Sequence, residues 1–536
     1  MMQEGSVRSI YSVLIIKSIT RVIMAKICIC LTAKTIRRNL EILSKYRKFA
    51  DMAELRVDCL DADERLYIRR FPELAGMPVI LTIRRDIDGG YYSGGEGARV
   101  KLLARGLAYA NDDSRFNFAY VDIEDDFDVP SLEEAARTFR TKIIRSYHNL
   151  QGTIDDIPAK IKSMQRSGDE IVKIAVSVNS TGDVLKVLKA SKTCKAKDKI
   201  FICMGHYGIY SRILAEKFGS MLTYSSVLSE NEIPGAPGQI DVKELAELYR
   251  FRKITKNTKV YGVVGNPLKV SISPWFFNTV IGLESTDAVY VPFPTNSIND
   301  FFEVANELDV QGLSITVPYK ETVLSELANS SDAVKSIGAC NTMYRNKEGW
   351  YGENTDCTGF SDSLLSFIGK KNLKYLKTTI IGAGGVARAV AAEIYRLGGK
   401  AVILNRTAHK AKTIASNYKF KWGGIDNNGI ELMSKHNNII IQTSSVGMEG
   451  YNDDDPISLY SFTGNEAVID LIYTPPMTPF LKRAAAAGCK TLNGYDMVIR
   501  QACLQYKCFI GNEIPSQLLA LIKTTGDNTW NKIRTG

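Results

Sequence analysis

The 536-residue sequence has few of the groups that mark a metalloprotein, a disulfide scaffold or a membrane protein. It holds four histidines, at 148, 206, 409 and 436, none in HExxH spacing, so no metal site is expected. Its ten cysteines are scattered without a CxxC pair, which argues for reduced thiols and against a disulfide frame. No apolar run reaches the length of a membrane span, so no membrane partner is expected. No block of like charge stands out either. The 68 basic and 58 acidic residues run through the whole length, and the formal charge of +10 fits a solvated surface with a mild pull on anionic metabolites. Neither a clustered basic face nor a recognition motif points to nucleic acid. Residues 1–23 carry Arg8, Lys17 and Arg21 against Glu4, and their apolar stretch at 11–16 is too short and interrupted for a signal peptide. Met24 is an equally good start, and a short transit segment is a third option. The expected compartment is the cytoplasm, with a plastid as the alternative.

What is present reads as a soluble α/β protein of more than one domain. Apolar residues make up 45% and charged residues 24%, and the length exceeds what one hydrophobic core usually serves. A seam at 231–274 divides the chain. It opens with the turn Gly235-Ala236-Pro237-Gly238-Gln239 and ends in a loop rich in Gly, Pro and Ser.

Before the seam, short apolar runs recur at 27–31, 52–57, 79–83, 118–121, 142–146, 171–176, 200–203 and 222–224, each followed by helix-like sequence. Eight such units predict a closed (β/α)8 TIM barrel, with chemistry at the C-terminal strand ends. An open doubly wound sheet would need a glycine-rich phosphate turn, which this half lacks. At the strand ends stand Glu54 and Arg56 on one face, then Arg84, His148 and Arg212, with Gln239 in the turn. Lys173 lies inside Ile171-Val172-Lys173-Ile174-Ala175-Val176. Apolar neighbours should disfavour its ammonium form and leave a nucleophilic amine, which attacks a ketone to form an imine. His148 suits removal of the proton that the imine acidifies. Arg84 and Arg212 could hold a carboxylate. Against this, a lone lysine in a strand often snorkels at an edge, and a lone histidine is often a core residue. The set, not either residue, favours chemistry.

ELRVD, SYHN, the Lys173 strand, YSR and APGQ together resemble the type I 3-dehydroquinate dehydratases, over residues 26–249. The resemblance implies a Schiff-base lyase that dehydrates 3-dehydroquinate to 3-dehydroshikimate, with Lys173 forming the imine and His148 as general acid–base. Glu54, Arg56, Arg84, Arg212 and Gln239 would bind substrate. The sequence departs from the family at Asp88, where Glu usually assists the histidine, and at Gly235, where a hydroxyl residue is common.

After the seam the plan changes. Thr378-Thr379-Ile380-Ile381 leads into Gly382-Ala383-Gly384-Gly385-Val386-Ala387 and an alanine-rich helix, the strand–turn–helix context of a dinucleotide site. The next strand, 401–404, ends in Asn405-Arg406-Thr407; Arg in place of an acid suits a 2′-phosphate, so NADP is the expected cofactor. A structural glycine turn with an ordinary surface arginine is the bland alternative. Further polar turns hold Ser271, Ser273, Asn341 and Asp356; Thr316 lies in a strand ended by Pro318, with Lys320 expected at the start of the next helix. The segment from Gly494 and Met497 leads into a helix carrying Gln501, which is expected to return to the first lobe beside the cleft.

GNP, SxSP, TVPxK, ENTD, GAGGxA, NRT and DLIYxP, in that order, resemble the shikimate dehydrogenases from about residue 260 onward. The resemblance implies NADPH-dependent reduction of 3-dehydroshikimate to shikimate, with Lys320 and Asp356 as the catalytic pair. Ser271, Ser273, Thr316, Asn341 and Gln501 would bind substrate. Gly382, Ala383, Gly384, Gly385, Val386, Ala387, Asn405, Arg406, Thr407, Gly494 and Met497 would bind cofactor. Val270 replaces a histidine found in many members. The organisation expected is an extension at 1–25, the dehydratase barrel at 26–249 and a linker at 250–258. A substrate lobe at 259–368, a Rossmann NADP-binding domain at 369–493 and helices returning to the substrate lobe at 494–536 follow. The whole resembles a bifunctional enzyme of the shikimate pathway acting on small molecules. Quinate oxidation with NAD, or a sensor that has lost its chemistry, are the rivals; Arg406 disfavours the first, and Lys173, His148, Lys320 and Asp356 disfavour the second.

Overall fold

The computed structural model describes residues 24–107, 113–230, 233, 235–268 and 271–522. Most of the expected N-terminal extension, Val270 and the end of the chain after 522 lie outside the described residues. The chain divides into two compact units. One takes residues up to 177, with 190–204 and 211–257; the other takes 178–189, 205–210 and 258 onward.

The first unit is built on β1 (Lys26–Leu31), β2 (Met52–Arg56), β3 (Val79–Thr82), β4 (Tyr120–Glu124), β5 (Lys142–Asn149), β6 (Ile171–Ser177), β7 (Lys199–Met204) and β8 (Leu222–Ser226), with a two-residue β9 (Ile240–Asp241). All pair in parallel in the order β7-β6-β5-β4-β3-β2-β1-β8-β9. The sheet curls until its ends meet. The Met221 N–H donates to the Lys199 carbonyl at 2.8 Å, and the Phe201 N–H to Ser220 Oγ at 2.8 Å. The result is the expected eight-stranded α/β barrel, although β7 and β8 join through these single bonds and not through a ladder. The fourth strand lies later than the apolar run at 118–121 suggests, because it ends in two buried acids, Asp122 and Glu124, which a search for apolar residues passes over.

Side chains alternate along a strand, so one parity points inward. The inward positions low in the barrel are apolar: Cys28, Met52, Ile80, Tyr120, Ile144, Ile171, Ile200 and Leu222 form one cluster. The same parity carried two and four residues further gives Glu54 and Arg56, Thr82 and Arg84, Asp122 and Glu124, Ser146 and His148, and Lys173. An apolar plug thus supports a polar layer at the C-terminal strand ends.

The second unit holds two six-stranded sheets. The first contains β10 (Lys259–Gly265), β11 (Ala288–Pro294), β12 (Val310–Ile315), β13 (Asn329–Ser330), β14 (Thr342–Asn346) and β15 (Gly349–Glu353), in the order β11-β10-β12-β14-β15-β13. The second contains β16 (Lys377–Ile381), β17 (Lys400–Leu404), β18 (Lys421–Gly423), β19 (Ile439–Gln442), β20 (Ala467–Asp470) and β21 (Lys490–Leu492). Its order, β18-β17-β16-β19-β20-β21, is that of a dinucleotide-binding sheet, with the reversal of strand order between β16 and β19.

The helix Tyr495–Ile510 follows β21 but packs back on the first sheet of this unit. Ile499, Ala502, Tyr506 and Phe509 share a core with Tyr261, Phe276, Phe277 and Tyr290. Phe509 stacks on Tyr261 at 5.3 Å between ring centroids, and the Tyr261 hydroxyl donates to the Phe509 carbonyl at 2.9 Å. Aromatic pairs of this kind add about 0.5–1.5 kcal/mol each beyond the area they bury. This anchor is what carries Gln501 to the cleft.

Candidate active sites

In the barrel, β4, β5 and β6 bring Asp122, Ser146 and Lys173 together. Lys173 is 4% exposed, and its Nζ donates to Asp122 Oδ2 at 2.7 Å while lying 4.4 Å from the centre of the Tyr224 ring. The sequence expects apolar neighbours around Lys173. In the structure the flanking Val172 and Ile174 point away, and a carboxylate from two strands over faces the nitrogen. Burial works against the charge on Asp122, but Arg84 and Lys173 hold its carboxyl well below the usual carboxylate range.

His148 faces the same cluster. Burial first, then Arg84 and Lys173, push its imidazole well below its ordinary value of 6.5, so the ring is neutral and able to accept a proton. Its Nδ1 is buried without a hydrogen-bond partner. Asp88, at the position where the resemblance puts a helper for this histidine, instead accepts from Arg85 Nε at 2.6 Å.

The three arginines are not equivalent. Arg56 is held by both oxygens of Asp58, at 3.0 and 2.7 Å. Arg84 reaches Asp122 at 2.7 Å and Glu124 at 2.6 Å. Arg212 is 2% exposed and pairs with no acid among the described residues. It donates to the Pro237 carbonyl at 3.0 Å and the Tyr224 carbonyl at 3.4 Å, while its Nε has no partner. Burial pulls its guanidinium down to about 10. Of the two arginines that could hold a carboxylate, Arg212 is the uncommitted one.

Glu54 accepts from Thr82 Oγ1 at 2.8 Å and from the Cys30 thiol at 3.2 Å. The Gln239 amide donates to the same sulfur at 3.2 Å, and its Oε1 is buried without a partner. The absence of a side chain at Gly235 has a use here, because a Cβ would come within 2.2 Å of that Oε1. The sequence reading missed Asp122, Glu124 and Cys30; inward parity on β1 and β4 was the signal that could have found them.

In the second unit one cavity of about 290 Å³ is lined by Ser271, Ser273, Thr316, Lys320, Asn341, Asp356, Met497 and Gln501. Every substrate or catalytic position expected for this half is among them. A larger open groove of about 610 Å³ beside Ile36, Leu40 and Tyr67 carries none of these groups. Lys320 sits in the turn after β12, ahead of a short 3₁₀ helix (Thr322–Glu326) and not at a helix start as expected. Its Nζ donates to Asp356 Oδ2 at 2.6 Å. Asn341 is fixed from three sides. Its Oδ1 accepts from the Thr355 N–H and the Thr342 hydroxyl, both at 2.8 Å, and its Nδ2 donates to Thr355 Oγ1 at 3.0 Å. With Oδ1 filled by donors, the amide N–H is what it has left for a ligand. Ser314, Tyr473 and Gln505 also line the cavity and were not found from sequence. Gln505 stands one turn beyond Gln501 and binds Ser314 Oγ at 2.7 Å and Thr342 Oγ1 at 2.9 Å.

The glycine turn expected to hold the cofactor follows β16, at the strand-order reversal. Gly382 has φ +111°, and a Cβ there would meet Thr443 Oγ1 at 2.5 Å. Gly384 and Gly385 have nothing within 4 Å of such an atom, at the N-terminus of the helix Gly385–Arg396. Open space before a helix N-terminus fits a pyrophosphate. Arg406, after β17, is exposed and has no ion pair among the described residues, as a reader of a 2′-phosphate requires. Gly494 does not line the cavity; its backbone presses on the Leu471 carbonyl, where a Cβ would come within 2.1 Å.

The chain matches the model of type I 3-dehydroquinase over residues 27–256. It matches the shikimate dehydrogenase substrate binding domain over 263–343, and shikimate / quinate 5-dehydrogenase over 366–448. It is 31% identical over 520 residues to the bifunctional 3-dehydroquinate dehydratase/shikimate dehydrogenase, chloroplastic, of Arabidopsis thaliana, covering 92% of this chain and 83% of that one. The chain belongs to this bifunctional family. It joins a type I dehydroquinase to a shikimate dehydrogenase in one polypeptide. Its second half is also 36% identical over 260 residues to the shikimate dehydrogenase (NADP(+)) of Bacillus subtilis, covering 48% of this chain and 92% of that one. Among solved structures, shikimate dehydrogenase from Aquifex aeolicus is 33% identical, covering 50% of this chain and 98% of that one, with a TM-score of 0.46.

Proposed function

We propose that the barrel dehydrates 3-dehydroquinate through an imine on Lys173, and that the second unit reduces the product to shikimate with NADPH. Two lysine–aspartate pairs carry this reading: Lys173–Asp122 at the C-terminal strand ends of the barrel, and Lys320–Asp356 on the wall of the cavity in the second unit. In the division proposed here, residues 26–249 form the dehydratase, 250–258 the linker and 259–536 the dehydrogenase.

In the barrel the Lys173 nitrogen attacks the ketone carbon, and the ketone oxygen leaves as water. Neutral His148 takes a proton from the adjacent carbon. The electrons left there expel the hydroxyl one carbon further on, which leaves as water when His148 returns the proton. Hydrolysis of the conjugated imine then frees the enone and restores Lys173. Arg212, with no acid of its own, and the free Oε1 of Gln239 suit the substrate carboxylate and a hydroxyl. Glu54, Arg56 and Arg84, each already engaged, shape the remaining wall.

In the second unit the cavity orients the ketone. Ser271, Ser273, Asn341 and Gln501 supply hydrogen bonds, and Thr316 and Met497 supply wall. NADPH supplies the hydride. The Lys320 ammonium, held by Asp356, delivers the proton to the oxygen that becomes hydroxyl. Gly382 to Ala387 would hold the pyrophosphate, and Asn405, Arg406 and Thr407 the adenosine phosphate. The partners are small anionic metabolites. Among the described residues no helix is long and apolar enough to cross a membrane. All ten cysteines are free, which supports a reducing compartment, the cytoplasm or a plastid.

The test is to give the purified chain 3-dehydroquinate and NADPH and follow both products. Unsaturated-acid absorbance together with NADPH oxidation is the expected result. Neither signal would refute both halves; one signal alone would refute the other half.

A further inference from the structure

The strongest feature left unexplained is the pair of fully buried acids on β4. Asp122 Oδ2 accepts from Lys173 Nζ at 2.7 Å, while its Oδ1 is held by Arg84 at 2.7 Å and by the Ser146 hydroxyl at 2.5 Å. Glu124 in turn bridges Arg84 and Arg99, at 2.6 Å to each. One carboxylate therefore touches the reacting nitrogen of the barrel site and is itself fixed by a second cation.

We infer that Asp122 is the counter-ion of the iminium that forms on Lys173, a catalytic role distinct from that of His148. The inference rests on the reading of Lys173 as the imine-forming residue. The chemistry requires such a group. The ammonium must first give up a proton, which neutral His148 takes and returns to the departing ketone oxygen, before its lone pair can attack the ketone carbon. When the C–N bond has formed and the oxygen has left as water, the nitrogen is again positive and still carries one hydrogen. That hydrogen and that charge fall where the ammonium held them, so a carboxylate already in place stabilises the iminium without rearranging.

The positive nitrogen is also what draws electrons from the carbon that His148 deprotonates. Between ammonium and iminium the lysine is neutral, and a buried acid with no cation would then be strongly unfavourable. Arg84 supplies that cation throughout the cycle, and Arg99, through Glu124, keeps Arg84 in position. This accounts for an arginine that is paired twice while Arg212 is left without an acid.

The test uses the full chain with 3-dehydroquinate and sodium borohydride, reading the reduced adduct at Lys173 by peptide mass. Wild type should form it. Asp122→Asn keeps the shape and removes the charge. Its dehydratase kcat should fall about 100-fold with KM changed less than about threefold, as expected for an interaction made with the charged intermediate. Its adduct should form at least about tenfold more slowly at saturating substrate. Ser146→Ala, which loosens the carboxylate without removing it, should shift adduct formation in the same direction by a smaller factor. The shikimate dehydrogenase rate of the same chain should not change in either variant. Adduct formation at the wild-type rate in Asp122→Asn would overturn the counter-ion role and leave Lys173 as the imine residue. No adduct on wild type would remove the lysine reading and this inference with it. Should Asp122→Asn fail to fold, by its melting curve, Ser146→Ala decides: an unchanged rate of adduct formation overturns the inference.

Discussion

Lys320 Nζ lies 2.6 Å from Asp356 Oδ2, with the two side chains 20% and 14% exposed on the wall of the dehydrogenase cavity. A pair so placed is buried enough for the carboxylate to hold the ammonium and open enough for the ammonium to reach a ligand. Lys320→Met should lower the kcat of shikimate formation by about 10²–10⁴, the range for loss of a general acid. The Kd of NADPH, read by fluorescence titration, should change little, and dehydration in the barrel should be untouched. Equal loss of both activities would mean that the substitution unfolds the chain.

The unpaired Arg212 predicts opposite changes in binding and stability. Arg212→Met should raise the KM for 3-dehydroquinate about 10- to 100-fold, since a hydrogen bond to a charged partner contributes about 1.5–3 kcal/mol. The same change removes a buried cation with no acid beside it, so the melting temperature should stay level or rise by a few degrees. Steady-state kinetics and a thermal scan check both. A fall in stability together with an unchanged KM would show that Arg212 serves only the two carbonyls it touches.

His148 gives a pH prediction. Its folded-state value lies below the ordinary 6.5, by burial and by the neighbouring Arg84 and Lys173. The unfolded chain therefore binds a proton near pH 6.5 that the folded chain refuses. Stability contributed by the neutral ring is complete above pH 6.5 and is lost as pH falls from there toward the folded value. His148→Gln, which cannot titrate, should lose less stability than wild type between pH 6.5 and 5, as measured by denaturant melts. The acid limb of dehydratase kcat/KM, which reports the free enzyme, should likewise lie below pH 6.5 in wild type.

Much of this was legible in the sequence where a pattern repeats with a period. Alternation put Glu54 and Arg56 on one inward face, strand ends placed Arg84 and His148, the sixth apolar run held Lys173, and the glycine turn after β16 located the cofactor strand. The acids were legible only from inward parity, once β4 is correctly placed. Asp122 and Glu124 interrupt an apolar run and so moved the expected strand upstream. Nothing local shows that an acid on β4 faces a lysine on β6, because the pairing is set by barrel curvature. The environment of Lys173 was misread for the same reason: its sequence neighbours are apolar, but its spatial neighbours are Asp122 and Tyr224. Gln505 escaped because a second glutamine four residues after Gln501 reads as ordinary helix surface until Ser314 and Thr342 are seen against it.

Arg406 bears on the choice of coenzyme. It follows β17, the strand beside the glycine turn, and its guanidinium is exposed and unpaired among the described residues. A reader of the 2′-phosphate should be both, because a cation already committed to a protein acid has its charge offset and its donors occupied, and attracts phosphate less. Arg406→Asp replaces attraction with repulsion at the group that NADPH has and NADH lacks. The KM for NADPH should rise about 10- to 100-fold, as for loss of a charge-assisted hydrogen bond, and the kcat should hold. The weaker reaction with NADH should change by less than about threefold, or improve if the new carboxylate accepts from the ribose hydroxyl. Initial rates with the two coenzymes at saturating 3-dehydroshikimate measure this. A parallel loss with both would mean that Arg406 supports the β17 turn and does not read the phosphate.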